Sequence, residues 1–233
     1  QVKKQMELNN FNTISSLTND IIHNKKFTEK FVKDLYINVT TMFRYPAFFN
    51  TLKNEVFPLL QTYPSIKIWV AGCATGEEVL SLAILLKETG LYDKSSIYAT
   101  DINESALEIA KKAIYPTDSA QIWTQHYNEV GGKNSFALYY DVNYKHIRFD
   151  KALLENVTYE KHDLTSNDFP SKFHLIICRN VLIYFNKSLQ DRVINKFIKA
   201  LYPHGFIGLG DKERITNTKI KCINRETKVY QYE

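Results

Sequence analysis

Residues 66–83 read I-K-I-W-V-A-G-C-A-T-G-E-E-V-L-S-L-A. The apolar, β-branched run at residues 66–70 is typical of a strand that is buried on both faces. Gly72 and Gly76 follow it, and apolar residues then recur at helical spacing over residues 77–87. Glycines let the backbone come close to a ligand, and a helix N-terminus offers unpaired N–H groups. The stretch therefore predicts an α/β domain that seats a nucleotide-type cofactor.

Two acidic residues, Glu77 and Glu78, stand where a dinucleotide would place its pyrophosphate. Because they would repel a diphosphate, they disfavour a nicotinamide-dependent dehydrogenase. S-adenosylmethionine fits better, since it carries a sulfonium, an ammonium and a ribose but no phosphate. The alternative is that both glutamates only stabilise the first helical turn through the helix dipole.

Length and composition allow one large domain, or one domain with a small appendage, in these 233 residues with 44% hydrophobic content. No apolar run approaches the ~20 residues that a membrane span requires, and no signal peptide is visible. The three cysteines lack paired spacing, which favours reduced thiols over a disulfide framework or a metal site. We therefore expect a cytoplasmic protein without membrane insertion or bound metal. Because the chain starts at Gln1, we expect it to derive from a longer gene product.

The net charge of +5 has two interpretations. It could serve a nucleic acid or an acidic protein partner, or it could be an ordinary solvated surface, which we favour. Residues 1–37 predict short amphipathic helices, and Lys25, Lys26, Lys30 and Lys33 lie on the second part. These lysines could likewise receive an acidic substrate surface or simply face solvent.

Later strands are predicted to deliver polar residues to one edge of a sheet. Residues 96–101 form a second strand that ends in Asp101, which is placed to accept hydrogen bonds from a ribose. The alternative is that Asp101 or Asn103 only caps the helix at residues 104–113. A third strand at residues 157–164 ends near Asp163, which could bind an adenine amino group. A fourth strand at residues 173–180 delivers polar residues beyond its carboxyl end, where ligands of such sheets bind.

The remaining elements complete a mostly parallel sheet. Residues 136–141 and 146–149 predict short strands in a segment that interrupts the alternation of strands and helices. A helix is predicted over residues 46–60, another over 187–201, and a fifth strand over 206–210. Residues 220–223 and 229–232 predict a closing antiparallel hairpin.

Five segments, in this order along the chain, resemble the CheR family, S-adenosylmethionine-dependent methyltransferases that esterify glutamate side chains of bacterial chemoreceptors. The resemblance covers about residues 35–233. It rests on N-V-T-T-M-F-R at 38–44, G-C-A-T-G-E-E at 72–78, A-T-D-I-N at 99–103, C-R-N-V-L-I-Y-F at 178–185 and the terminal hairpin. It implies a class I, Rossmann-like methyltransferase domain at 61–233 with an inserted antiparallel β-subdomain at about 121–156. A short N-terminal helical region with its linker occupies 1–60.

The resemblance also implies the cofactor S-adenosylmethionine, its product S-adenosylhomocysteine, and a role for each matching residue. The implied partner is a methyl-accepting chemoreceptor or a related signalling protein, with no nucleic acid, and we expect a monomer. Arg44 and Tyr184 match residues that shape the methyl-transfer step. The positions that match cofactor contacts are Asn38, Thr40, Arg44, Gly72, Glu78, Asp101, Asp163, Leu164, Arg179 and Asn180. At 163–164 the family often has Asn-Leu where this chain has Asp-Leu.

Two alternatives remain open at this point. The chain could be a CheR-like module that binds the cofactor or signals without catalysis. It could also be a DNA amino-methyltransferase, although those enzymes commonly place [DN]-P-P-[YF] at the fourth strand tip, where this chain has R-N-V-L-I-Y.

Overall fold

The computed structural model describes residues 2–28, 31, 40–166, 169–170 and 172–233. The chain divides into two compact units, Gln1–Val39 and Thr40–Glu233. The first contains α1 (Val2–Leu8) and α2 (Ile14–His23), as the helical pattern predicts there. Lys25 and Lys26 are exposed, whereas Lys30 and Lys33 lie outside the described residues. The division between the units falls before the predicted one at residue 60.

Segment 40–60 belongs to the second unit because its apolar side chains enter the core of that unit. Phe43, Phe48, Phe49 and Leu52 are fully buried there. Helix α3 (Pro46–Thr51) passes through a π-helical stretch, Leu52–Val56, into α4 (Phe57–Leu60). The structure is therefore helical throughout the predicted range 46–60, with a π-helical stretch inside it. Pro58 has no N–H to donate, and the Phe57 N–H donates to Leu52 O, five residues earlier, as in a π-helix.

In the described part of the second unit, seven strands form one sheet in the order β6-β2-β1-β7-β8-β10-β9. Neighbours from β6 to β8 are parallel, and β10 is antiparallel to β8 and β9. The predicted α/β class with a terminal antiparallel hairpin is confirmed. The strands are β1 (Ile66–Ala71), β2 (Ser95–Asp101), β3 (Ile114–Pro116), β4 (Tyr140–Asn143), β5 (His146–Phe149), β6 (Val157–Lys161), β7 (Phe173–Cys178), β8 (Leu201–Leu209), β9 (Ile220–Asn224) and β10 (Val229–Tyr232).

Helices cover both faces of this sheet, and β1 contributes side chains to the core on each face. The other helices are α5 (Glu77–Glu88), α6 (Glu104–Lys112), α7 (Ala120–Glu129) and α8 (Lys187–Ala200). Ile68 and Val70 of β1 pack in one core cluster with the leucines of α5, whereas Trp69 packs in a second cluster with Phe197 of α8. Successive strand residues point to opposite faces, so a continuous apolar run at β1 serves both layers. None of the described helices is long and apolar enough to cross a lipid bilayer.

The smaller sheet has the order β3-β5-β4 and is antiparallel throughout. Its first strand, at residues 114–116, lies before the predicted limits of the β-subdomain, 121–156. The prediction of a strand over 136–141 was wrong for its first part, because Phe136–Tyr139 is a 3-10 turn that precedes β4. This turn places the Phe136 ring among those of Tyr127, Tyr140 and Phe149, with centroids 5.1 to 6.1 Å away. Packing of this aromatic cluster outweighs the local preference for a strand.

Candidate active site

The loop after β1 folds back onto the end of β2. The N–H groups of Gly72 and Cys73 both donate to Thr100 O, at 2.8 and 2.9 Å. The N–H of Ala74 donates to Asp101 Oδ2 at 2.8 Å. Ala74 has a φ of 48°, a left-handed conformation that is uncommon outside glycine. The Asp101 carboxylate therefore fixes the shape of the cofactor loop.

Asp101 is not the cap of the following helix. Its Oδ1 accepts from the N–H of Asn103 at 2.8 Å, and Asn103 Oδ1 in turn caps α6 by accepting from Ser105 N at 3.0 Å. An ionised carboxylate has about four lone-pair positions, so each oxygen of Asp101 can accept a further hydrogen bond. Half-buried at the tip of β2, the side chain has the position and the remaining capacity that a ribose would require.

The two glutamates at the start of α5 have different partners. Glu77 is buried and accepts a hydrogen bond from Thr75 Oγ1 at 2.7 Å. Burial raises the pKa of Glu77, and the Thr75 hydrogen bond offsets part of that rise. Glu78 forms an ion pair with Arg179, with 2.5 Å between Oε1 and Nη1. Only Glu78 of the two therefore contacts the end of the fourth parallel strand.

Arg179 joins three of the sequence motifs. Besides its pair with Glu78, its Nη2 donates to Arg44 O at 2.7 Å. Its guanidinium lies over the ring of Phe48, 4.2 Å from the centroid, and its side chain is 4% exposed. A planar, permanently charged group with several donors suits this position, because it can bond a carboxylate and a carbonyl while stacking on an aromatic ring. The predicted residues Arg44, Glu78 and Arg179 are thus brought together.

Three distant elements hold the segment that carries Arg44. Met42 O lies 3.0 Å from His126 Nδ1 of α7, and the Phe43 N–H donates to Ser81 Oγ of α5 at 2.8 Å. The third contact is the one from Arg179 to Arg44 O. Phe43 has a φ of 50°, and such a conformation costs about 1–3 kcal/mol and persists only where its surroundings impose it. The half-buried Arg44 side chain therefore starts from a fixed backbone.

The turn after β7 contains Asn180 and is organised by an acid that our sequence analysis missed. Asn180 has a φ of 60°. The carboxylate of Glu213, 3% exposed, accepts four backbone N–H groups around this turn, those of Asn180, Val181, Leu182 and Gly210. The sequence shows only that Glu213 follows Gly210, the last residue of the predicted strand over 206–210. No local pattern connects Glu213 to Asn180.

Tyr184 lies in the 3-10 turn Leu182–Tyr184 that follows. Leu182 is buried in the core, whereas Tyr184 is 59% exposed. The structure thus places Tyr184 next to the turn of Asn180 in the chain and at the surface.

The strand predicted over residues 157–164 is β6, which ends earlier than predicted, at Lys161. Asp163 is therefore not at its tip: it is exposed, and its Oδ1 accepts from Thr165 N at 2.8 Å in a tight turn. Leu164, at 7% exposure, packs in the core cluster that contains Trp69. The turn favoured by Asp163 ends the strand. Adenine contacts by these two residues stay predictions.

Gly72 is required by close packing at the loop. It has a φ of 81°, and a Cβ there would clash with the side chain of Val181, the residue after Asn180. The cofactor loop and the β7 turn are therefore in direct contact. Thr40 is half-buried at the start of the second unit, and the predicted cofactor residue Asn38 lies outside the described residues.

The donors and acceptors of this edge fit S-adenosylmethionine. Among the described residues, the buried Nε of Arg179 has no acceptor, and a carboxylate such as that of the methionine moiety would supply one. Carboxylates at Glu78 and Asp101 suit an ammonium and two hydroxyls, respectively. A diphosphate would instead meet these acids.

Comparison with known proteins identifies the family. The family model described as CheR methyltransferase, SAM binding domain, matches residues 38–230. The chain is 45% identical over 203 residues to a protein of Pseudomonas putida named putative methyltransferase Cher3, an alignment that covers 87% of this chain and 74% of that protein.

Two further relatives are named chemotaxis protein methyltransferase. The one from Borreliella burgdorferi is 32% identical over 78% of this chain and 66% of its own length. The one from Listeria innocua is 30% identical over 81% of this chain and 70% of its own length. The chain therefore belongs to the CheR family of S-adenosylmethionine-dependent methyltransferases, and residues 38–230 are its cofactor-binding domain.

Proposed function

We propose that this protein transfers the methyl group of S-adenosylmethionine to glutamate carboxylates of a bacterial chemoreceptor-type protein, for sensory adaptation. The observation that carries the proposal is the cluster of Arg44, Arg179 and Glu78, which joins three motifs of the resemblance at the end of the central strands. The relatives named chemotaxis protein methyltransferase support the same pathway.

The methyl transfer does not require general acid–base catalysis by the protein. When bound, the cofactor supplies a methyl group on a positively charged sulfur. A glutamate carboxylate has a pKa of about 4.3 and is already ionised at neutral pH, so its oxygen can attack without a general base. The residues of the chain therefore have to position the carboxylate and keep water away from it.

Arg44 is proposed to orient the incoming carboxylate. A guanidinium forms charge-assisted hydrogen bonds with a carboxylate. The hydrogen-bonded backbone of residues 42–44 limits the positions that the Arg44 guanidinium can adopt. Tight clamping would lower the nucleophilicity of the carboxylate, so we expect orientation with few contacts. The Tyr184 hydroxyl is proposed to donate a hydrogen bond near the reacting oxygen.

The first experiment asks which bond is made. Purified protein is incubated with cofactor labelled in the methyl group and with a receptor cytoplasmic fragment that contains the methylation region. We expect label that alkali releases as methanol, because esters hydrolyse in base and N-methyl groups do not. Label that survives alkali would contradict glutamate esterification. A protein that binds S-adenosylhomocysteine but labels no receptor fragment would count against this substrate.

Variants then test the roles of the two residues. Arg44→Ala should lower kcat about 100-fold, as expected when an acceptor is misplaced, with a much smaller change in the Kd for S-adenosylhomocysteine. Tyr184→Phe should act in the same direction by a smaller factor. The matched controls are Arg225→Ala, at an exposed turn, and Tyr144→Phe, at a 97% exposed side chain. Near-normal kcat in both site variants would refute these roles.

A further inference from the structure

We propose that Glu213 is a positioning residue of the methyl-transfer site, whose buried carboxylate sets the turn that carries Asn180 and Tyr184. This inference rests on the proposed function, because Asn180 is a predicted cofactor contact and Tyr184 a predicted contact of the acceptor. Glu213 itself belongs to none of the motifs that suggested the site.

The hydrogen bonds of Glu213 are distributed evenly between its two oxygens. Oε1 accepts from Val181 N at 2.9 Å and from Leu182 N at 2.7 Å. Oε2 accepts from Asn180 N at 3.1 Å and from Gly210 N at 2.6 Å. Three consecutive N–H groups of the β7 turn and one from the end of β8 thus converge on one carboxylate. Charge-assisted bonds of this kind are stronger than neutral ones, so they can impose the left-handed conformation of Asn180.

The neighbouring glycine shows how closely the parts fit. A Cβ at Gly210 would lie 2.8 Å from Glu213 Oε2 and 2.9 Å from Asn180 N. Only a residue without a side chain lets the end of β8 approach the β7 turn to this distance.

The other side of the turn is held by α8. Gln190 Nε2 donates to Leu182 O and to Phe185 O, both at 3.0 Å. Glu213 therefore binds the N–H groups that enter the 3-10 turn, and Gln190 binds carbonyls within it and just after it. Tyr184 projects from a short turn that is fixed on both sides, although its own side chain is exposed.

A carboxylate in this position is costly for the fold. Burial raises the pKa of the Glu213 carboxyl, and the four backbone donors offset part of that rise. An apolar or amide side chain would be less costly to bury, but neither offers four acceptor positions without a donor. The cost is understandable if the conformation of the turn matters for function.

The test is Glu213→Gln, which keeps the shape and changes the hydrogen bonding. Whichever way the amide lies, its NH2 group faces two backbone N–H donors. We expect a Kd for S-adenosylhomocysteine about tenfold higher by calorimetry, and a kcat about 100-fold lower with the receptor fragment. Glu213→Asp keeps the acceptors and should recover part of both losses.

The control for general destabilisation is Ser95→Ala. Ser95 is buried at the opposite end of the sheet, where its Oγ donates to Leu91 O at 2.8 Å. If Glu213 only stabilises the fold, affinity and kcat should stay normal in every Glu213 variant that is folded at the assay temperature, as in Ser95→Ala. A folded Glu213→Gln protein with wild-type Kd and kcat would overturn the proposal.

If Glu213→Gln does not fold, Glu213→Asp decides. The proposal requires that the shorter side chain shift the turn and lower kcat while the protein remains folded, and wild-type kcat would overturn it. The Kd for S-adenosylhomocysteine is measured without any receptor, so failure to methylate by the wild-type protein would count against the proposed substrate and leave the Glu213 comparison intact.

Discussion

The two ends of the same parallel sheet use polar side chains in opposite ways. At the carboxyl end, acids hold unusual backbone: the half-buried Asp101 binds the left-handed Ala74, and the buried Glu213 binds the left-handed Asn180. At the amino end, side chains bond backbone groups in ordinary conformations, as Ser95 does with Leu91 O and Lys94 with Gln61 O and Tyr63 O. The first arrangement opposes stability and creates binding capacity, whereas the second mainly stabilises. Substitutions at the two ends should therefore separate affinity from stability.

The largest effect is expected for Arg179→Ala at the carboxyl end. The change leaves the Glu78 carboxylate, 14% exposed, without its cation. Removing one partner of a buried pair costs about 3–5 kcal/mol, and we expect that loss in the free energy of unfolding measured with urea, together with loss of cofactor binding. The control is Lys187→Ala, which breaks an ion pair with Asp191 that is 62% and 46% exposed and should cost about 0–1 kcal/mol. Equal losses in the two variants would mean that the buried pair contributes no more than a surface pair.

Asp101→Ala should mainly affect affinity. It removes the acceptor of Ala74 N and the proposed acceptor of the ribose hydroxyls, so we expect the Kd for S-adenosylhomocysteine to rise about 10- to 100-fold, corresponding to about 1.5–3 kcal/mol. Asn103→Ala is the matched control, because it removes the cap of α6 beside the same loop and should cost about 1 kcal/mol of stability. Calorimetry on both variants checks this, and an unchanged Kd in Asp101→Ala would exclude Asp101 from the ribose role.

The sequence was sufficient to predict the secondary-structure elements that a local residue pattern determines. The apolar run at 66–71, the glycines and the helix after them predicted a buried strand and its loop, and β1 is the middle one of the five parallel strands. Because parallel strands direct their carboxyl ends to one edge, residues such as Asp101 and Arg179 could be expected there together.

The contacts that complete the site could not be predicted, because they join distant parts of the chain. Glu78 and Arg179 are 101 residues apart, and Met42 and His126 are 84 apart. The same limit explains the missed role of Glu213 and the 3-10 turn at Phe136, where burial among aromatic rings decides the conformation. Local propensity is only a weak guide where tertiary packing decides.

Ser95→Ala tests the amino end directly. The change removes one buried hydrogen bond to Leu91 O, which should lower the free energy of unfolding by about 1 kcal/mol. Because no unusual backbone depends on Ser95, the Kd for S-adenosylhomocysteine should stay within about twofold of the wild-type value. Urea unfolding and calorimetry give the two numbers. A rise in Kd as large as that of Asp101→Ala would remove the distinction between the two ends.

The smallest effect concerns the pH dependence of the amino end. His174 Nδ1 accepts from Lys67 N at 3.0 Å, and burial lowers the pKa of His174 from its ordinary value of 6.5, with the charge of Lys67 adding to the shift. As the pH falls below 6.5, the unfolded chain binds a proton that the folded protein still rejects, so the free energy of unfolding decreases until the lowered pKa is passed.

His174→Asn keeps an acceptor in a side chain that does not titrate. The variant should therefore gain stability relative to wild type between about pH 7.5 and about pH 5.5 in urea unfolding. Ser95→Ala, which also lacks a titrating group, should differ from wild type by the same amount at both pH values. A constant difference for His174→Asn would mean that the buried imidazole makes no pH-dependent contribution to this end of the sheet.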